Sequence, residues 1–291
     1  MIGLICDSGS NVPELVMQKF QIRKVPLRVI LGKTEYRDDG IEITEDQLLN
    51  FMQTGMPRTS LPFYEDIANC FEEMIASGYT KILAINLSSG LSGTYNSFQL
   101  IAKKMMKKYP HVEIAVFDSF SLSIGTGMIV YKAAMLIEEN PSITLHDLVE
   151  KLTDMYVRKN RVYYVIPSLK FLIAGGRIGR IIGTIGEMLH FKPILSVSGE
   201  NGAFYQMGKE IGLNRAIDKI IEYAKTFIGN QQIEAIGIYH SGKSMETLEY
   251  VKKIQEKLAS LDIPQIFKGS ISSTLLVHVG PGLVGLGVQL K

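Results

Sequence analysis

The sequence predicts an α/β fold in two domains, the first built on a parallel sheet covered by helices. Three observations carry that prediction. The chain has 291 residues, roughly twice the ~150 expected of one domain. Short apolar runs alternate with amphipathic stretches through the first half, the βαβα order that yields a parallel sheet. Each of those runs closes on Asp or Ser, as a buried strand does where its carboxyl end meets solvent.

Taken in order, residues 2–6 form an apolar run ended by Asp7 and Ser8, a buried strand, and residues 13–20 follow as a helix. Residues 64–75 are amphipathic and are entered through Pro62, whose fixed φ suits a first helical turn. Residues 81–87 and 112–117 are the next buried strands, followed by helical patterns at about 94–108 and 124–139. Ligands of such a sheet bind beyond the carboxyl ends of its strands, where Asp7, Ser8, the loop of residues 88–94, Asp118 and Ser119 stand. A helical stretch at 145–158 ends near Asn160 before a new apolar run at 162–166, so the domains are placed at 1–160 and 161–291. The second offers strands at 194–197, 235–239, 265–267 and 283–290, with helices near 213–227 and 244–258 and a mixed helical pattern at 167–174. It is again α/β, with a strand order that pattern alone does not give.

The composition, 46% hydrophobic and 21% charged, is a globular balance that excludes fibrous and low-complexity classes. Thirty-one basic against twenty-nine acidic residues leave a formal charge of +2. No basic run compensates, since Lys103, Lys104, Lys107 and Lys108 are spaced as the solvated face of a helix, and no nucleic-acid partner is expected. Residues 2–6 are shorter than a signal-peptide core and no run of about 18 apolar residues occurs, which excludes stable membrane insertion and leaves transient membrane contact open. Cys6 and Cys70 are too few for a zinc site or disulfide framework, and His111, His146, His190, His240 and His278 are not spaced as metal ligands. A cytoplasmic protein without metal or cofactor is expected.

Several motifs carry chemistry. Ser88-Ser89-Gly90-Leu91-Ser92-Gly93-Thr94 joins a buried strand to a helix, so hydroxyls and backbone N–H groups meet at one helix N-terminus; it is an anion site in outline, although taken alone a capped helix is the commoner reading. It is not a nucleophile elbow, because Thr94 stands where the last glycine is required. Thr59-Ser60 precedes a second helix start, and two such starts facing one crevice would hold a carboxylate or phosphate. In Gly175-Gly176-Arg177-Ile178-Gly179-Arg180, Arg177 offers a planar fork of donors to an anion, or sits in a plain turn. The run from Gly237 to Ser244 matches the P-loop pattern, making Lys243 and Ser244 candidates for nucleotide binding. Its first glycine, however, lies inside an apolar strand run and no apolar-run-then-Asp segment follows, so the match reads as accidental. His278 adjoins the turn Val279-Gly280-Pro281-Gly282. Ser92, His278 and Asp7 could be assembled into a hydrolytic triad, which spacing alone does not test.

Seven motifs in this order resemble the DegV family, which includes the lipid-carrier subunits of bacterial fatty acid kinase. They are Asp7-Ser8; Thr59-Ser60-Leu61-Pro62; Leu87 to Tyr95; Asp118-Ser119; Leu169-Lys170 with Gly175-Gly176-Arg177-Ile178; Lys192-Pro193-Ile194-Leu195; and His278 to Gly282. The resemblance spans the whole chain. It implies a long-chain fatty acid such as palmitate, stearate or oleate held between the two domains. The carboxylate would lie on Thr59, Ser60, Ser92, Gly93 and Thr94, the tail in the second domain's pocket, and Arg177 and His278 near the head group, serving phosphotransfer. The carrier would be no enzyme itself; it would present the acid to an ATP-using kinase catalytic subunit that makes acyl-phosphate for phospholipid synthesis. Two departures stand out: Leu61 and Phe63 replace a family glutamine and serine, and Ile211 and Leu213 occupy positions where kinase carriers have arginines. The alternatives are a lipid carrier with no kinase partner and, in another class, a serine hydrolase using Ser92.

Overall fold

The computed structural model describes residues 1–178 and 191–291, and residues 154–158 through their backbone alone. Gly179, Arg180 and His190 lie outside the described residues. In chain order the first half contains β1 (Ile2–Asp7), α1 (Glu14–Phe20), β2 (Arg23–Val25), β3 (Arg28–Leu31), β4 (Thr34–Arg37), α2 (Glu45–Met52), β5 (Arg58–Ser60), α3 (Tyr64–Ala76), β6 (Lys81–Asn86), α4 (Thr94–Lys108), β7 (Glu113–Asp118), α5 (Ile124–Glu139) and α6 (Leu145–Lys159). Then follow β8 (Asn160–Val165), α7 (Lys170–Ala174), β9 (Phe191–Val197), β10 (Phe204–Ile211), α8 (Leu213–Ile228), β11 (Ile233–His240), α9 (Met245–Leu258), β12 (Ile266–Ser270), α10 (Ser273–Val279) and β13 (Val284–Leu290).

The first sheet has the order β2-β1-β6-β7 and is parallel throughout, as the alternation of strand and helix predicts. Its strands β1, β6 and β7 read as largely apolar runs because both faces are covered, whereas β2, Arg23-Lys24-Val25, is a short exposed edge strand. Leu4 and Cys6 of β1, with Leu83 and Ile85 of β6, face inward to one core, whereas Ile5, Ile82 and Ala84 face outward to a second core under α3 and α4. The second sheet, β10-β9-β8-β13-β11-β12, is antiparallel except at β11–β12. Its outer face is covered by α8 and α9, with Ile217, Ile220 and Ile221 packed on Ile236, Ile238, Leu286 and Val288.

Between the sheets lies α5, apolar around most of its circumference and therefore able to bury both sides. It packs on β1 and β6 of one sheet and on β8, β11 and β13 of the other. Glycines permit that approach: a Cβ at Gly237 would sit 2.2 Å from Ile124 Cγ1, and one at Gly287 would sit 2.8 Å from Met128 Cε. Gly237 is thus a packing residue within β11, paired with both β12 and β13. Two more residues of the P-loop match have structural partners. The Gly242 N–H donates to Glu45 Oε1 at 2.7 Å, and Ser244 caps α9 by accepting from the Thr247 N–H.

A third sheet, β4-β3-β5, is a small antiparallel unit that the sequence pattern does not announce. It relocates Thr59 and Ser60. They stand on β5, opposite Val29 and Arg28 of β3, rather than at a helix start, and Phe63 is the N-cap of α3. Among the described residues no helix is long and apolar enough to cross a membrane, and no group of His, Cys, Asp and Glu could hold a metal ion.

Candidate functional site

A cleft of about 140 Å³ opens where the first sheet's strand ends, the small sheet and α10 meet. Leu87 and Leu91 reach it from the loop after β6, Leu122 from the loop after β7, Leu27 from the approach to β3, and Phe204 from the start of β10. Polar groups gather on the remaining wall: Thr59 and Ser60 from β5, Ser92, Arg177, and Thr274 and His278 from α10. Residues on both sides of position 160 therefore line one space.

Helix α10 is anchored by a carboxylate distant in sequence. Asp38 accepts from the N–H groups of Ser273 at 3.0 Å and Thr274 at 3.2 Å, satisfying donors of the helix's first turn. Asp38 is itself held by the Ser8 hydroxyl at 2.9 Å. The i, i+4 spacing then puts Thr274 and His278 on one face, toward the cleft. Gly280, at φ +74°, turns the chain out of the helix where a side chain would collide with the Phe171 ring, 2.3 Å from a Cβ.

The imidazole is buried against α7. His278 Nε2 lies 2.9 Å from Thr59 Oγ1, and Nδ1 has no hydrogen-bond partner. Burial, reinforced by the neighbouring Arg177 charge, pushes its pKa down to about 4, so the ring is neutral at pH 7. Gly175 makes the packing possible, since a Cβ there would lie 2.2 Å from Nδ1. Gly176, at φ +70°, then folds the chain back so that Arg177 donates from Nη1 to the Gly175 carbonyl at 2.6 Å and from Nε to the Leu91 carbonyl at 3.2 Å. Two carbonyls thus fix the guanidinium at the cleft wall, and desolvation lowers its pKa.

The hydroxyls differ in what they can donate. Ser92 Oγ and Thr94 Oγ1 share one bond at 2.9 Å, and Gly93, the N-cap of α4, contributes backbone only. Ser60 donates to Glu35 Oε1 at 2.5 Å, which commits its single proton and leaves it lone pairs toward the cleft. Behind that pair sits buried Arg28, 3.7 Å from Glu35 and stacked 3.9 Å from the Phe63 ring centroid. Thr274 Oγ1 is buried with no partner. Sequence reading missed this residue, although the hydroxyl run Ser272-Ser273-Thr274, ending four positions before His278, was a signal for it.

The triad does not assemble. Asp7 Oδ2 accepts from Asn86 Nδ2 at 3.0 Å and from the Leu87 N–H at 2.8 Å, and no carboxylate orients His278 Nδ1. Among the described residues the wall offers hydroxyls, a neutral imidazole and the fixed Arg177 guanidinium.

The family model described as "Uncharacterised protein, DegV family" matches residues 1–291. This chain belongs to the DegV family. A DegV domain-containing protein of Clostridium acetobutylicum is 34% identical over 292 residues, covering 100% of this chain and 99% of its own length. Among solved structures, a fatty-acid-binding DegV family protein from Thermus thermophilus superposes with a TM-score of 0.89 at 26% identity, covering 100% of this chain and 99% of its own. A stearic-acid-binding protein from Eubacterium ventriosum shares the fold with a TM-score of 0.89 at 24% identity over 100% of this chain and 99% of its own. In this DegV chain the Thr59, Ser92, Arg177 and His278 motifs, scattered over 220 positions of sequence, line a single cleft.

Proposed function

We propose that this protein binds a long-chain fatty acid such as palmitate, stearate or oleate, with the carboxylate on the polar wall and the tail along Leu27, Leu87, Leu122, Leu275 and Phe204. Residues 1–160 would supply the hydroxyls of Thr59, Ser92 and Thr94 with the Gly93 backbone; residues 161–291 would supply Arg177, Thr274, His278 and much of the tail pocket. Ser60 would orient the wall through Glu35. The observation that carries this reading is the buried, unpartnered Thr274 Oγ1 in an apolar cleft that Arg177 also lines. A polar atom so placed costs free energy until a ligand pairs with it. The relatives' fatty-acid binding supports the same reading.

The energetics fit a carrier. A sixteen-carbon tail buries about fifteen methylene or methyl groups, a gross transfer term of about 12 kcal/mol before entropy and desolvation are subtracted. The head group adds position more than affinity. In the tautomer that carries its proton on Nε2, a neutral His278 would donate to Thr59 Oγ1 and free the threonine proton for a carboxylate oxygen. The protein would act in the cytoplasm and without chemistry of its own, handing the acid to a fatty acid kinase for phospholipid synthesis. A carrier without that kinase is the second reading, favoured by Ile211, an apolar residue 56% exposed where kinase carriers have arginine.

Organic extraction and mass spectrometry of the purified protein, followed by titration with palmitate and oleate, test the binding. An acyl chain in the extract or saturable binding is expected; neither would overturn the proposal. Pull-down with a fatty acid kinase catalytic subunit separates the two carrier readings.

A further inference from the structure

Phe204 belongs to two cavities at once. Its ring, 4% exposed, lines the cleft and also an open hollow bounded by Val197, Ala203 and Tyr205 and by the polar Arg161, Glu200 and Asn201. A gap of only about 10 Å³, bordered by Phe120 and Val162, adjoins that hollow at Val197 and Gly199. The ring is held edge-on to Tyr164, with centroids 6.3 Å apart at 88°, and Tyr164 donates its hydroxyl to the Leu122 carbonyl. Leu122 lies between Phe120 and Ser123, two non-glycine residues at φ +45° and +51°. Ser123 is buried and Phe120 partly so, and such backbone persists only where its surroundings hold it.

The strand-connecting turn just before Phe204 is fixed to the head-group loop. Ser88 Oγ donates to the Gly202 carbonyl at 2.7 Å, and a Cβ on Gly90 would lie 2.2 Å from the Asn201 carbonyl oxygen. The wall and the polar end of the cleft are thereby held at a set separation.

We infer that Phe204 is a length gauge, a partition whose ring sets how many methylenes fit between the polar wall and the inner end of the cleft. This rests on the fatty-acid reading above. Removing the ring would join the cleft to the hollow, where Val197, Gly199 and Ala203 would meet the ω end of a longer chain beside the polar Ser198 and Asn201. Each further methylene taken from water then raises affinity by up to about fourfold, and two by about fifteenfold.

The test is competitive loading of delipidated full-length protein with an equimolar series of even-numbered saturated acids from laurate to behenate, read by native mass spectrometry. In the wild type, occupancy should peak at one length and fall beyond it. In Phe204→Ala the ratio of the next longer homologue to that optimum should rise at least fourfold, with Phe204→Leu intermediate. Should the alanine variant fail to fold, Phe204→Leu carries the comparison with an expected rise of at least twofold. A wild type that binds none of the series overturns the fatty-acid reading and this inference with it. Folded variants that bind with the wild-type length profile overturn the gauge alone.

Discussion

Acidification should expose the buried imidazole. Burial and Arg177 lower the His278 pKa from 6.5 to about 4, so the native ring refuses a proton that the unfolded chain accepts. Its effect is negligible at pH 7, becomes destabilising as pH falls through 6.5, and is complete below about 4. The shift corresponds to about 3 kcal/mol, of which about 2 kcal/mol are lost between pH 7 and pH 5. Asp7 opposes it. Burial raises that carboxyl from 3.8 to about 6, so the native state takes up the proton first as pH falls. Stability then rises by about 1 kcal/mol over the same interval. Urea denaturation at pH 7 and pH 5, at matched ionic strength, should therefore show the wild type losing less than His278 alone would dictate. Asp7→Asn should lose about 1 kcal/mol more than the wild type, and His278→Gln about 2 kcal/mol less. Groups common to all three proteins cancel in that comparison. An unchanged pH 7 to pH 5 difference in His278→Gln would refute the buried neutral imidazole.

Two further substitutions probe the wall. Thr274→Val removes a buried hydroxyl with no partner while keeping the side chain's shape, so the ligand-free protein should gain about 1 kcal/mol in urea denaturation. Palmitate affinity should meanwhile fall about fivefold or more, as expected for one lost hydrogen bond. Gly175→Ala places a Cβ 2.2 Å from His278 Nδ1 at an ordinary φ of −81°, so its cost comes from displacing the ring. A loss of about 1–3 kcal/mol is expected, together with a changed His278 imidazole ¹⁵N spectrum as the Thr59 contact breaks.

The parts legible in sequence were those with a strong single period. Residues 94–108 and 124–139 coincide with α4 and α5, and the parallel strands β1, β6 and β7 were visible because burial on both faces left little polar alternation to confuse them, whereas the three-residue edge strand β2 was missed. The sheet of β3, β4 and β5 was invisible because strands of three or four residues cannot show a period of two. Helix α2 was missed despite its signal, the capping box of Thr44 and Gln47. At the site, sequence could name Thr59, Ser92, Arg177 and His278 as separate motifs. That β5 faces α10, that Asp38 holds that helix, and that Glu35 takes the Ser60 proton are facts of long-range packing, with no local pattern to announce them.

Helix α5 has a consequence for how the molecule comes apart. A rod that is oily on two opposite sides and serves as floor to one sheet and ceiling to the other cannot be abandoned by either without wetting a full face of side chains. The two sheets should therefore come apart in a single cooperative transition rather than one after the other.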